Sequence, residues 1–197
     1  MRPACMIALL MIGTIASATL AAPKELNIVL KWNPNEKQAM PALDITGGVY
    51  AVSIAPSIDK RDKGNQIGEN TEGKVAVPVN TSSDVPAFVR EHLVAQIKSI
   101  GLDVKAADAG DRVLHSELVE CWVAESKRYN GSVRLRVSIA DASGKELWSA
   151  LVGGTSDNFG RSLKPDNYTE SISNSIEALA ANLVSAAGFR AAIAKTR

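Results

Sequence analysis

The segment from Val133 to Ile139 alternates strictly between apolar and polar side chains. Its apolar members are Val133, Leu135, Val137 and Ile139, and its polar members are Arg134, Arg136 and Ser138. This period of two predicts a strand with one buried face and one solvated face, as in an antiparallel sheet. Strand-like segments on both sides, with turns near Asn130 and Gly144, extend the prediction to a three-stranded meander over residues 113–152.

Two segments carry helical periodicity. The first is capped by Ser83 or Asp84 and closed by Gly101. Its apolar stripe consists of Phe88, Val89, Leu93, Ile97 and Ile100. The second begins near Asn167, with Glu170 at the capping-box position three residues later. Its stripe consists of Tyr168, Ile172, Ile176, Leu179, Leu183 and Ala187.

These elements predict an α+β fold, with a mostly antiparallel sheet and two helices packed on one face. Shorter β-rich segments begin near Leu26, Val49 and Lys74. Residues 56–73 are dense in charge, Asn and Gly, and are therefore predicted to form a long surface loop. Residues 22–197 contain no internal repeat and no linker-like stretch, so we predict a single α+β domain there.

Residues 1–21 have the pattern of a secretory signal peptide. Arg2 precedes an apolar run over residues 6–15, and small residues follow up to Ala18 and Ala21. The run is too short to span a bilayer, which takes about 20 apolar residues. We therefore predict cleavage after Ala18 or Ala21 and a periplasmic protein, with secretion or peripheral association with the outer membrane as alternatives.

Composition excludes several classes of partner. The net charge is +1 and only 5% of residues are aromatic, so the chain lacks the basic and aromatic surface of a nucleic-acid binder. No second apolar run reaches membrane-spanning length, so we expect no transmembrane segment after signal removal.

The two cysteines are Cys5 and Cys121. Cys5 lies too near the start to follow an apolar signal core, so no lipid-anchor cysteine is expected. Cys121 lies in an apolar strand-like run, which favours a buried, inert thiol over a nucleophile or a link between chains.

The chain shows no recognised catalytic or cofactor motif. It has neither a phosphate-binding glycine loop nor a serine nucleophile elbow. His92 and His115 each lack a second ligand at metal-binding spacing. Residues 59–64 resemble a calcium loop only loosely, because Arg61 stands where a third-position oxygen ligand belongs. We therefore expect no catalytic residue, no cofactor and no metal.

Several short motifs resemble the YajG-type family of uncharacterised bacterial envelope lipoproteins. Asp59-Lys60-Arg61 followed by Ile67-Gly68 is similar to that family's D-x-R…I-G signature. The meander ending in Gly144-Lys145-Glu146-Leu147-Trp148, and the stretch from Gly154 through Tyr168 into the final helix, agree in order.

The resemblance covers residues 48–187 and implies an α+β domain on the periplasmic side of a Gram-negative outer membrane, without established enzymatic activity. Asp59, Arg61, Ile67 and Gly68 are then family-motif residues of unknown role. Family members carry a lipid-modified cysteine directly after the signal, whereas this chain has Ala21-Ala22-Pro23 there. A free periplasmic form is therefore expected.

The leading hypothesis is an exported, non-enzymatic cell-envelope accessory protein that binds one or more envelope proteins. Its long charged loop or an exposed sheet edge would provide the contact. One alternative is a small-molecule carrier, which requires an apolar cavity between sheet and helices. Another is a secreted hydrolase, for which His92, His115 and Asp59 are the candidate acid or base groups.

Overall fold

The structure is a computed structural model, and it describes residues 25–35, 39–43 and 45–195. The predicted signal peptide, residues 1–21, lies outside the described residues together with both of its predicted cleavage points. The described residues form nine strands in one sheet and three helices.

The strands are β1 (Leu26–Ile28), β2 (Val52–Ile54), β3 (Ile58–Asp59), β4 (Gln66–Asn70), β5 (Val77–Thr81), β6 (Val104–Lys105), β7 (Arg112–Glu125), β8 (Tyr129–Asp141) and β9 (Glu146–Asn158). The helices are α1 (Val85–Ser99), α2 (Pro165–Ser185) and α3 (Ala187–Ile193).

The predicted meander is confirmed and is longer than the sequence indicated, but its first turn lies at residues 126–128 and not near Asn130, which belongs to β8. β7, β8 and β9 pair antiparallel over almost their whole length. Gly144 has a φ of 83° and closes the turn between β8 and β9, a conformation that favours glycine.

The prediction of a mostly antiparallel sheet with two helices is wrong. β2, β3 and β4 follow one another along the free side of β7, and each of them runs parallel to it. β1–β5 and β2–β6 are parallel as well, so the sheet is mixed and only the overall α+β class stands. Alternation of side chains reports a buried face but not strand direction, which explains the error.

The predicted loop over residues 56–73 was also wrong, because it contains β3 and β4. β3 has two residues and β4 has five, and both lie among charged and glycine residues. Segments this short carry too little periodicity to be recognised, and their pairing with β7 is what makes them strands.

α1 begins as predicted. The Asp84 side chain accepts a hydrogen bond from the Ala87 N–H at 3.0 Å, and a proline stands in the first turn. After the helix, Gly101 has a φ of 83°. Val89, Leu93 and Ile97 are buried, as the stripe predicted.

α2 starts at Pro165 rather than near Asn167, and no side chain caps its first residue. Glu170 is not part of a capping box, because its carboxylate accepts hydrogen bonds from the Asn35 and Asn158 side chains. The apolar stripe is buried from Tyr168 to Leu183. Ala186 adopts an extended conformation and separates α2 from α3, a third helix that the sequence analysis missed.

α2 lies directly on the sheet, against β7, β8 and β9. Glycines on the strands allow this close approach: a Cβ at Gly154 would lie 2.1 Å from the Ser175 carbonyl oxygen and 2.2 Å from the Leu179 nitrogen. Ser171 and Ser175 are fully buried on the facing side of the helix. α1 contacts α2 and β6, and α3 contacts α2 and β9.

The opposite face of β7, β8 and β9 carries mostly polar side chains, and we call it the open face. Register rows cross it, such as His115–Ser138–Ser149 and Glu117–Arg136–Leu151. In the part of the chain that the structure describes, no single helix has the length and hydropathy to cross a membrane. α2 and α3 meet those criteria only as a pair bent by 66°.

Candidate functional site

The four family-motif residues lie beside the same stretch of β7. Asp59 ends β3 and pairs with Leu118, and Arg61 follows two residues later. Ile67 and Gly68 belong to β4, where Gly68 pairs with Val123. The fold therefore brings the two halves of the motif to one edge of β7, which supports treating them as one unit.

Asp59 and Arg61 form an ion pair with each other. Arg61 donates from Nε to Asp59 Oδ1 at 2.9 Å and from Nη2 to Oδ2 at 2.8 Å. The hydrogen bond from the Arg61 side chain is the main reason that the pKa of Asp59 is lowered, against the opposing effect of partial burial. The Arg61 side chain is only 7% exposed, whereas that of Asp59 is 37% exposed. The pair is thus anchored in the fold rather than lying on an open loop.

Ile67 and Gly68 have structural roles. Ile67 is fully buried in the core. A Cβ at Gly68 would lie 2.4 Å from the Val123 carbonyl oxygen, so only glycine lets β4 approach β7 at this point. The I-G half of the motif therefore positions β4.

Between β3 and β4, the edge of β7 has a gap. β3 pairs with β7 up to Leu118, and β4 resumes the pairing at Val123. A β-bulge interrupts the pairing with β8 in the same stretch, between Leu118 and Glu120. A cleft of about 280 Å³ lies over this gap, and it is lined in part by Arg61 and Trp122. We call it the gap cleft.

Trp122 is the residue at this site that sequence reasoning missed. Its indole ring faces Lys63, whose Nζ lies 4.2 Å from the ring centroid. On β8, Ser132 is its register partner. The available signal was weak, because Trp122 lies among the apolar residues of a strand and its neighbours come from other parts of the chain.

The two histidines lie in different places. His92, on α1, stacks on Trp32 with ring centroids 4.1 Å apart, and Phe88 contacts its edge. Burial is the main cause of its lowered pKa, and the nearby charge of Glu91 opposes the shift. His115 lines a cleft on the open face with Ser138, but no hydrogen bond joins the two in the described structure. In the same part of the chain, no three His, Cys, Asp or Glu side chains are grouped to hold a metal ion.

Cys121 is buried, as expected. Burial raises the pKa of its thiol to about 12, against a lowering effect of the Arg61 charge. At pH 8 the thiolate fraction is then about one in ten thousand, and the thiolate is the reactive form.

We therefore expect Cys121 of the folded protein to resist Ellman's reagent at pH 8. The same protein in 8 M urea should react at the rate of an ordinary thiol, because unfolding restores solvation. Absorbance at 412 nm measures both rates. Rapid reaction of the folded protein, at a rate close to that in urea, would contradict the buried placement of this thiol.

Comparison with known proteins yields likeness at the level of the fold. No family model matches the chain, and no curated protein matches it. A DUF330 protein from Xanthomonas campestris superposes with a TM-score of 0.55 at 10% identity, covering 80% of this chain and 91% of that protein. A second solved structure, of an uncharacterized protein, gives a TM-score of 0.50 at 14% identity, covering 76% and 97%.

A lipoprotein from Neisseria meningitidis also aligns, at 17% identity over 57% of this chain and 88% of its own length. Its TM-score is 0.30, which is too low to carry an argument. The solved structures that carry the likeness are thus the DUF330 protein and the uncharacterized protein. At these identities the likeness shows the fold alone, and membership of the YajG-type family stays a prediction.

Proposed function

We propose that this chain is an exported, non-catalytic accessory protein of the bacterial cell envelope that binds another envelope protein through its open face. The observation that carries the proposal is one row across the sheet. In it, Ile58 and Leu151 lie at the two ends of the Glu117–Arg136 ion pair. These two apolar side chains are 56% and 61% exposed, as expected for anchors of a contact.

Three ion pairs neutralise most of the charge on this face. Arg136 contacts Glu117 at 2.8 Å and Arg134 contacts Glu120 at 3.2 Å. Arg128 pairs with Asp157 at the end of the sheet. A partner that docks here meets little net charge, so we expect its contact surface to be apolar and uncharged rather than strongly acidic or basic.

The absence of catalysis is part of the same proposal. The candidate acid and base groups lie apart: His92 is stacked against Trp32, His115 lies on the open face, and Asp59 is bound to Arg61. A carrier function would need an apolar cavity under the helices. The full burial of Tyr129, Ile172 and Phe189 in the core supports close packing of sheet and helices over such a cavity.

Site-specific photocrosslinking tests the binding proposal. A benzophenone side chain at position 151 should give one discrete adduct in living cells, because Leu151 is exposed on the open face. The matched control is position 75, since Val75 is 65% exposed but lies in the turn before β5. Denaturing gels and mass spectrometry identify the adduct.

A second variant tests whether formation of the adduct depends on the open face. Ile58→Asp should reduce the adduct at position 151 by at least about fivefold, because a charge replaces an apolar anchor. Val75→Asp should leave the yield unchanged. Equal crosslinking from positions 151 and 75, or an adduct indifferent to Ile58→Asp, would refute binding through this face. The intact mass of the protein isolated from cells tests cleavage after Ala18 or Ala21 separately.

A further inference from the structure

Two buried polar atoms lack a hydrogen-bond partner in the described part of the chain, and both lie next to Trp122. One is Nη1 of Arg61, and the other is Oγ of Ser132. Arg61 lines the gap cleft together with Trp122, and Ser132 lines a neighbouring cleft in which Trp122 is also a wall. A buried polar group without a partner is costly, so two beside one indole ring require an explanation.

Asp59 fixes the orientation of the unpaired donor. It holds Nε and Nη2 of the guanidinium, so Nη1 is the remaining nitrogen. A planar guanidinium held in this way is preorganised to donate to an oxygen acceptor. Nη1 carries two N–H bonds without an acceptor, and they belong to a side chain that lines the gap cleft.

The surroundings favour an uncharged acceptor. Arg61 is neutralised by Asp59, Glu120 by Arg134, and Lys63 has Asp62 as its neighbour in sequence. An anion would therefore find no net positive charge, whereas a neutral carbonyl oxygen needs none. The indole ring of Trp122 offers a flat apolar surface next to the donor.

The strand edge favours a peptide over a small molecule. β3 and β4 pair with the same side of β7, before and after the gap, and both run parallel to it. Residues 119–122 between them have no strand partner on that side in the described structure. An extended segment presents carbonyl groups at strand spacing, and such an edge is the kind of template to which peptides add.

We propose that the gap cleft binds a short, extended, uncharged peptide segment of the partner protein. A backbone carbonyl of that segment accepts from Arg61 Nη1, a backbone N–H of the segment donates to Ser132 Oγ, and the segment packs on Trp122. Lys63 is exposed, and its flexible side chain is the part of the wall that can move aside. This site rests on the proposed function, since it names the chemistry that the partner supplies.

A titration with a blocked trialanine peptide, acetylated and N-methylamidated, tests the site. The ¹⁵N-labelled protein as isolated from cells should show saturable NMR shifts at the Trp122 indole N–H and the Arg61 Nε–H. Arg61→Lys should raise the dissociation constant about tenfold, because lysine lacks the planar fork of N–H donors that arginine has. Ser132→Ala should perturb folding less than Arg61→Lys does, and it should raise the dissociation constant about fivefold.

Arg190→Lys is the matched control, since it makes the same change on α3, where the guanidinium also donates to carbonyl oxygens but lies in neither the gap cleft nor the open face, and it should leave the dissociation constant unchanged. Acetate is the control ligand. Larger saturable shifts with acetate than with the peptide would replace the peptide site by an anion site and overturn the proposal. No saturable shift, or equal weakening of peptide binding by Arg190→Lys and Ser132→Ala, would overturn it as well.

The two proposals fail separately. If the adduct at position 151 forms as expected but the peptide causes no saturable shift, binding through the open face stands and the gap cleft is refuted. If the peptide binds with the expected dependence on Ser132 but no adduct forms at position 151, the gap cleft stands and the open-face proposal is refuted.

Discussion

Gly154→Ala should lower the free energy of unfolding by about 3 kcal/mol, which is the upper end of what overpacking of a core costs. The added Cβ would lie 2.1 Å from the Ser175 carbonyl oxygen and 2.2 Å from the Leu179 nitrogen. Both atoms belong to the backbone of α2, so no side-chain rotation relieves the clash. The helix has to move away from β9, and the buried contacts of its apolar stripe loosen. Urea unfolding followed by circular dichroism measures the change.

Gly153→Ala is the matched control, one residue earlier on the same strand. There the nearest atom to a new Cβ is Arg134 Cγ at 3.1 Å, which belongs to a flexible side chain on the open face. We expect this variant to be unchanged or stabilised by up to about 1 kcal/mol, because alanine restricts the unfolded chain more than glycine does. If both variants lose the same stability, the close approach of α2 to β9 is wrong.

Tyr168→Phe should lower the free energy of unfolding by about 2 kcal/mol at pH 7, because it removes a hydrogen bond to a buried charge. The Tyr168 hydroxyl donates to the carboxylate of Glu125, which is only 1% exposed. The Leu163 N–H donates to the same carboxylate at 2.9 Å and remains in the variant. Tyr50→Phe is the control, since the Tyr50 hydroxyl has no hydrogen-bond partner in the described structure and the ring stays under Arg112.

The effect should depend on pH with a definite sign. Burial alone would raise the pKa of Glu125, but hydrogen bonds, from Tyr168 foremost, hold it below the ordinary value of 4.5. A lowered folded-state pKa contributes stability that is present above the unfolded value and is lost as the pH falls through the folded value.

In Tyr168→Phe the folded pKa of Glu125 rises, because burial persists while a donor is lost. The difference in the free energy of unfolding between the two proteins should therefore be largest near neutral pH and should become smaller below pH 4.5. Urea unfolding at pH 7 and pH 3 measures both values. A difference in unfolding free energy that stays constant or increases in acid would mean that the Tyr168 hydroxyl does not stabilise the ionised carboxylate.

The sequence predicts those elements whose signals are local. The alternation from Val133 to Ile139 identified β8, and the Asp84 cap with its apolar stripe identified α1. These signals depend on residues within one or two helical turns or within one strand. They can therefore be recognised from the sequence without knowledge of the tertiary structure.

Parallel pairing and the candidate site depend on contacts between distant segments. Nothing in the sequence of β2, β3 or β4 indicates that all three add to the same side of β7. Asp59 and Arg61 are two residues apart and can pair through local contacts, but the position of Arg61 in one cleft with Trp122 depends on the pairing of β3 with β7. Ser171 and Ser175 of α2 are polar residues, and the sequence does not indicate that they are buried. They are buried because Gly131 and Gly154 let the sheet approach the helix closely.

The arrangement around β7 also constrains how the chain acquires its structure. β2 and β3 precede β7 by more than fifty residues, and their pairing with it completes the sheet. A ribosome delivers β2 and β3 well before β7, so these two strands lack the partner that organises them during the first part of synthesis. We expect slow, late folding, a property that fits the proposed export, because an exported chain has to stay unfolded until it has passed through a translocation channel.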